Sequence, residues 1–166
     1  MSEQSLIDAA SASRVGTVAA TATGEINRRE WQRWAAAVGD HNPLWFDPEY
    51  ARAQGFHDII CPPLYLQYAI LGVTALDGLR PDGSSGAVSG GLAFPRAPRR
   101  MAGGESTSFL GPAYHRDEID MVRTIESIVE KQGRSGSFVL VTWKTLYRNQ
   151  RRELVAEATT SMIARP

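Results

Sequence analysis

The side chains best equipped for chemistry fall in one short run, residues 39–51, GDHNPLWFDPEYA. Asp40 and His41 offer a carboxylate and an imidazole, groups that hold or pass a proton in general acid–base catalysis. Asn42 adds a carboxamide that both donates and accepts, and Pro43 stiffens the turn that presents them. A plain connector needs no more than Gly, Ser or Asp, so this composition marks a candidate site. Trp45 stands at its end, and its indole N–H donates but is no base near neutral pH. The other histidines, His57 and His115, share no metal-ligand spacing with His41, so no metal is expected. His57 reads as a surface or loop-bonding residue and His115 as solvent-facing. Cys61, next to Pro62 in an apolar run, reads as a buried, inert thiol. Arg96, Arg99 and Arg100 form a cationic cluster that can meet phosphate groups or stand as a solvated loop face.

Two helical stretches must hold the run. Asn27 followed by Glu30 has the form of a capping box and predicts a helix over residues 28–38. Trp31, Trp34, Ala35 and Val38 share one of its faces, with the tryptophans as core anchors, and Gly39 ends it. Asp47-Pro48-Glu49 starts a second, short helix, with a capping acid and proline in the first turn. A third helix is predicted from Pro62 or Pro63 to about Asp77. It is apolar nearly all round, the pattern of a helix buried under other elements.

The second half reads as strands. Residues 118–130, 137–147 and 153–164 are the clear runs, with 104–110 a fourth and 16–26 a first strand earlier in the chain. In 137–147 the residues Val139, Val141, Trp143, Thr145 and Tyr147 line one face. Breaks at 133–136 and around Asn149 are short enough for antiparallel hairpins. A buried helix followed by an antiparallel meander is an α+β layer architecture. Residues 1–15 read as a flexible N-terminal segment, 16–166 as a single domain, and 79–103 as a long Gly-, Pro- and Ser-rich loop within it.

The bulk properties exclude several classes of function. At 166 residues, 43% apolar and formally neutral, the chain has the size and composition of one globular domain. Its arginines are interspersed with acids, so nucleic acid is not an expected partner. No stretch approaches the roughly 20 apolar residues of a membrane span, and no secretory signal is evident. With one cysteine, a reducing cytoplasm is the expected compartment.

The segment GDHNPLWFDPEYARAQGFHDIICPPLY resembles the active-site region of the MaoC-like hydratases and dehydratases. GRSGSFVLVTWKTLYRNQRRELVAEATTSMIAR is similar to the closing strands of their branch that resembles the dehydratase domain of type I fatty acid synthases. The resemblance implies a hotdog fold, a long central helix wrapped by a curved antiparallel β-sheet. It also implies a lyase-type reaction, water adding to or leaving an enoyl thioester of CoA or an acyl carrier, with no separate cofactor. Carried over by position, the motif places Asp40 as the acid, supported by Asn42 and Pro43, with His41 beside it.

Two positions depart from the pattern G-D-x-N-P-[apolar]-H. Trp45 occupies the histidine position. Pro63 falls where the family has a glycine whose backbone N–H stabilises the thioester oxyanion, and proline has no N–H. The resemblance therefore implies a degenerate half of a paired enzyme, weak or inactive alone, shaping the acyl pocket beside a catalytic MaoC-like chain. Substrate contacts are expected from Trp45, Pro63, Leu64 and Tyr65, with Arg96, Arg99 and Arg100 toward the CoA phosphates. The alternatives are a self-sufficient homodimeric hydro-lyase using Asp40 and His41, and a non-catalytic acyl-CoA-binding hotdog protein. In each paired form the sheet edges close against a second hotdog subunit.

Overall fold

The computed structural model describes residues 5–71, 76–79 and 92–166. Five antiparallel strands form one sheet in the order β1-β3-β4-β5-β2. They are β1 (Val18–Glu25), β2 (Arg99–Phe109), β3 (Glu118–Gly133), β4 (Gly136–Asn149) and β5 (Leu154–Arg165). Two tight connections build the β3-β4-β5 meander. Gly133 pairs with Gly136 across the first, and Arg152 takes a positive φ of 67° in the second.

Alternation along β4 orients the sheet. Val139, Val141, Trp143, Thr145 and Tyr147 are all buried, as the sequence predicts, and the residues between them are only partly so. Each of the four ladders also carries one register shift, such as those between Ile125 and Ser127 in β3 and between Ala102 and Gly104 in β2. Such bulges bend the strands and increase their twist, and the sheet curves around the helical layer.

That layer consists of α1 (Ala9–Ala12), α2 (Arg28–Ala37), α3 (Pro48–Ala53) and α4 (Tyr65–Ile70). The caps read from sequence are in place: Asn27 accepts from the backbone N–H groups of Arg29 and Glu30, and Asp47 from those of Glu49 and Tyr50. Helix α4 rests directly on β1. A Cβ built on Gly24 would fall 2.0 Å from the Ala69 carbonyl oxygen, so only glycine fits at that crossing.

Four expectations are corrected. The central helix is short: it ends at Ile70, and Leu71 is extended with ψ 115°. The sequence that follows, Gly72-Val73-Thr74, joins a glycine to two β-branched residues, all weak helix formers. The expected stretch to Asp77 falls partly outside the described residues, and Leu76–Gly78 is a 3₁₀ turn. Nor is α4 covered all round: Leu66 and Ile70 are buried, whereas Leu64, Tyr68 and Leu71 are exposed. Val38, expected on the face of the tryptophans, is 58% exposed because it caps α2 outside its helical phase. The strand expected over 104–110 begins earlier, at Arg99.

The buried residues form two clusters. One lies under the helices and includes Ile26, Trp31, Trp45, Ile59, Leu66, Ile119 and Tyr147. The other includes Leu92, Phe94, Ile125, Val139, Val141 and Trp143, with Leu6 and Ile7 packed on it. Between them along β4 sits Thr145, fully buried, which accepts a hydrogen bond from Arg123 Nε at 3.2 Å. Among the described residues no helix is long and apolar enough to cross a membrane.

Candidate active-site frame and apolar cavity

The run carrying Asp40 is a sequence of nested turns. Gly39 has φ 73° and closes α2, and the Asp40 N–H returns to the Ala35 carbonyl at 2.8 Å, an arrangement in which glycine past the helix end satisfies its last carbonyls. Asp40 Oδ1 accepts the Asn42 backbone N–H at 3.3 Å, and Asn42 Oδ1 accepts that of Leu44 at 3.0 Å. Asn42 thereby caps the 3₁₀ turn Pro43–Trp45. The polar groups of the motif are engaged in building their own loop. His41 is exposed and makes no hydrogen bond among the described residues, and none joins it to Asp40.

Trp45 points inward. It is 6% exposed within the first core cluster, and its Nε1 is a buried donor with no partner among the described residues. Its carbonyl accepts from Trp31 Nε1 at 3.3 Å and Gln32 Nε2 at 3.2 Å. The indole at the motif's histidine position is thus a core side chain, clamped from α2. A side chain there lies where a protonating group would be desolvated.

The remaining candidates are dispersed. Pro63 is exposed ahead of α4, and its carbonyl accepts from Leu66 N–H at 3.3 Å. Leu64 is 64% exposed, whereas Tyr65 is buried against Trp34, with ring centroids 5.8 Å apart. Burial first, then the Glu30 charge, pushes the Tyr65 hydroxyl above its ordinary value.

The arginine cluster is structural. Arg96 donates to the Ser5 carbonyl, Arg99 to that of Pro166, and Arg100 Nη2 to that of Leu92 at 2.9 Å. All three tie the second core cluster to its neighbours, whereas Asp40 lies on the loop that ends in the first. The structure does not bring the arginines to the Asp40 loop. Arg96 and Arg99 are exposed, as a solvated face requires, and the carbonyls they hold lie far away in the chain, out of reach of a sequence reading.

What sequence reading missed is space. A cavity of about 270 Å³ opens between residues 56–66 on one side and 109–113 with Val155 on the other. Its walls are apolar, with Phe56, Ile60, Leu66, Phe109 and Val155 among them, and of the expected site residues only Pro63 reaches it. Ile60 links it to the Asp40 loop: its N–H bonds to the Leu44 carbonyl at 3.1 Å while its side chain lines the cavity. Cys61 also faces this space, 3% exposed, and burial, with the Asp117 charge behind it, pushes its thiol far above the ordinary value. An inert, protonated thiol was the expectation. The one available signal was the turn Gly111-Pro112 after a strand, which shapes the far wall.

Beside the cavity lies a polar group that sequence did not assemble. Arg28 and Asp58 form an ion pair at 2.5 Å, and the His57 ring stacks on Tyr114 with centroids 3.7 Å apart. Burial works to raise the Asp58 carboxyl, but the Ile59 backbone N–H and the Arg28 guanidinium outweigh it, and the net shift is downward. His115 is exposed, its Nδ1 near the Arg28 backbone N–H.

Known proteins resemble this arrangement. A UPF0336 protein of a Parafrankia species is 31% identical over 141 residues, covering 85% of this chain and 84% of its own. A probable enoyl-CoA hydratase alpha subunit of Thermomonospora curvata is 31% identical over 136 residues, 75% of this chain but 40% of that protein. Among solved structures, the ChsH1-ChsH2 complex of Mycobacterium tuberculosis superposes with a TM-score of 0.70 at 18% identity, over 93% of this chain and 86% of the matched one. That likeness is one of fold, the hotdog fold. The FAS1-like, dehydratase domain region family matches residues 13–158. With nearly the whole domain matched and the hotdog frame in place, the chain belongs to the FAS1-like dehydratase domain region family.

Proposed function

We propose that this chain is a subunit of an acyl-thioester hydratase or dehydratase of the enoyl-CoA type. It shapes the pocket for the acyl group, and the acid–base chemistry rests mainly on a MaoC-like partner chain. The observation that carries this reading is Trp45, locked in the core where the motif has histidine. Pro63, without an N–H at the position of the oxyanion glycine, supports it independently. Asp40 alone holds a carboxylate on a turn, and addition of water across a double bond also needs a group to handle the second proton.

The pocket assigned to the acyl group is the apolar cavity. Its volume of about 270 Å³ sits just under the usual range for a whole ligand site, which suits the acyl end of a thioester better than the entire molecule. The exposed apolar face of α4, with Leu64, Tyr68 and Leu71, is the kind of surface that marks an interaction site, and the outer strands β1 and β2 leave edges to be paired. The similar alpha subunit and the two-chain ChsH1-ChsH2 complex favour a second hotdog subunit as the occupant. The reaction asks for no cofactor beyond the thioester's own carrier, and a lone buried thiol fits a reducing cytoplasm.

The test is to purify the chain alone and with a catalytic MaoC-like chain carrying an intact G-D-x-N-P-x-H motif, then assay hydration of several enoyl-CoA thioesters. Turnover is expected only in the pair, and Asp40→Ala in this chain leaves it within twofold. Robust turnover by the isolated chain, abolished by Asp40→Ala and His41→Ala, overturns the reading in favour of a self-sufficient homodimer.

A further inference from the structure

The cavity has one wall held by clips. Phe56 lines it and follows Gly55, whose φ of 92° sets the chain at an angle that L side chains rarely adopt. Beyond Phe56 the chain is tied twice in succession. The His57 ring lies against that of Tyr114, with centroids 3.7 Å apart. Asp58 then pairs with Arg28 on α2.

Tyr114 directly follows Ala113, a residue of the opposite wall, so the stack spans the two sides of the cavity. Deeper in, the Cys61 N–H bonds to the Ala113 carbonyl at 2.8 Å and joins the same two walls. The Tyr114 side is rigid. Asp117, buried at 4% exposure, accepts the Tyr114 N–H at 2.8 Å and is itself held by Gln150 Nε2 at 2.9 Å. The side of residues 55–58 is held at its start by the Phe56 N–H on the Ala51 carbonyl. After that it depends on one partly exposed ion pair and one exposed ring, contacts that are weak one by one.

We infer that residues 55–58 are a hinged wall: release of the His57–Tyr114 and Arg28–Asp58 contacts swings Phe56 aside and widens the cavity for a bulkier uncharged hydrocarbon group. The class of ligand follows from the lining, since a charged group among Ile60, Leu66, Phe109 and Val155 would find no partner. That this group is the acyl end of a thioester rests on the function proposed above; the movement of the wall does not. Tyr114, His57, Asp58 and Arg28 act as positioning residues that set how wide a group the cavity takes.

The chain has a single cysteine, and it lines the cavity, so its alkylation reports on the wall directly. The experiment measures the rate of Cys61 modification by N-ethylmaleimide in the full chain, with and without the uncharged fluorophore N-phenyl-1-naphthylamine. Tyr114→Ala is expected to raise the rate about tenfold, the scale of one lost ring contact. Asp58→Asn is expected to raise it about threefold, the scale of a partly exposed ion pair. His57→Ala removes the same ring contact from the other side and is expected to raise the rate about as much. The fluorophore binds and slows alkylation in every variant.

Two results overturn the inference. One is equal rates, within twofold, in variants whose thermal midpoints match wild type. The other is a rate that climbs with low urea along the slope of global unfolding, which shows that Cys61 reacts only through the unfolded chain. Should Tyr114→Ala fail to fold, His57→Ala and Asp58→Asn carry the same comparison. Neither thioester nor partner chain is used, so failure of the hydratase assay leaves this result standing and failure here leaves that assay untouched.

Discussion

The Asp40 loop and the Cys61 cavity touch through Ile60, yet they are opposites. The loop is rich in groups that could do chemistry, and the structure engages them elsewhere: Asp40 and Asn42 in turn hydrogen bonds, Trp45 in the core. The cavity is poor in such groups and has room. A list of reactive residues therefore does not show where the fold leaves room, and the loop is the frame that holds one of the cavity's walls.

That contrast can be broken most forcefully at Trp45. Trp45→His restores the motif's histidine, yet it places a smaller, polar ring in a packed core. By analogy with other large-to-small core changes, a loss of about 3 kcal/mol is expected in urea unfolding, with no hydration by the isolated chain. A stable variant that turns over enoyl-CoA would show that the loop is a site after all.

The cavity is probed by filling it. Ala113→Leu puts extra methyl groups on its far wall and should weaken binding of an apolar fluorophore about tenfold, while changing stability by at most about 1.5 kcal/mol. Unchanged affinity would mean that ligands bind elsewhere.

At the loop, Asn42→Ala removes the cap of the 3₁₀ turn and should cost about 1 kcal/mol by thermal unfolding. It should leave fluorophore affinity as it was, because the loop contributes no lining. A matched loss of affinity would show that the loop sets the cavity's shape through Ile60 as well as framing it.

The smallest effect is in acid. The folded-state pKa of Asp58 lies below its unfolded one, so its stabilisation is complete above about pH 3.9, the ordinary carboxylate value, and is lost as pH falls through the lowered value. The stability difference between wild type and Asp58→Asn should hold steady near neutrality and close toward pH 3. A difference that widens in acid would place the charge in some other pairing.

Local signals were the legible ones. Asn27 and Asp47 cap their helices because a cap is decided within three residues, and the β4 face from Val139 to Tyr147 follows from a period of two. The central helix was misjudged because hydrophobicity says that a segment is buried, not where its backbone turns. The carbonyls held by the arginines were not legible, because Ser5, Leu92 and Pro166 reach them only once the chain is folded. The cavity was invisible for the same reason. Its walls meet through the Cys61–Ala113 hydrogen bond and the pairing of β2 with β5, and residues such as Phe109 and Val155 carry no chemistry to flag them.

Strand β2 lies at the end of the sheet, and its register slips between Ala102 and Gly104, where Gly104 takes φ 147°. The kink divides the strand's outer border into two short runs that no straight strand can follow end to end. It works like the notch of a key cut against copying: such a border discourages copies of the chain from zipping together edge to edge at high concentration.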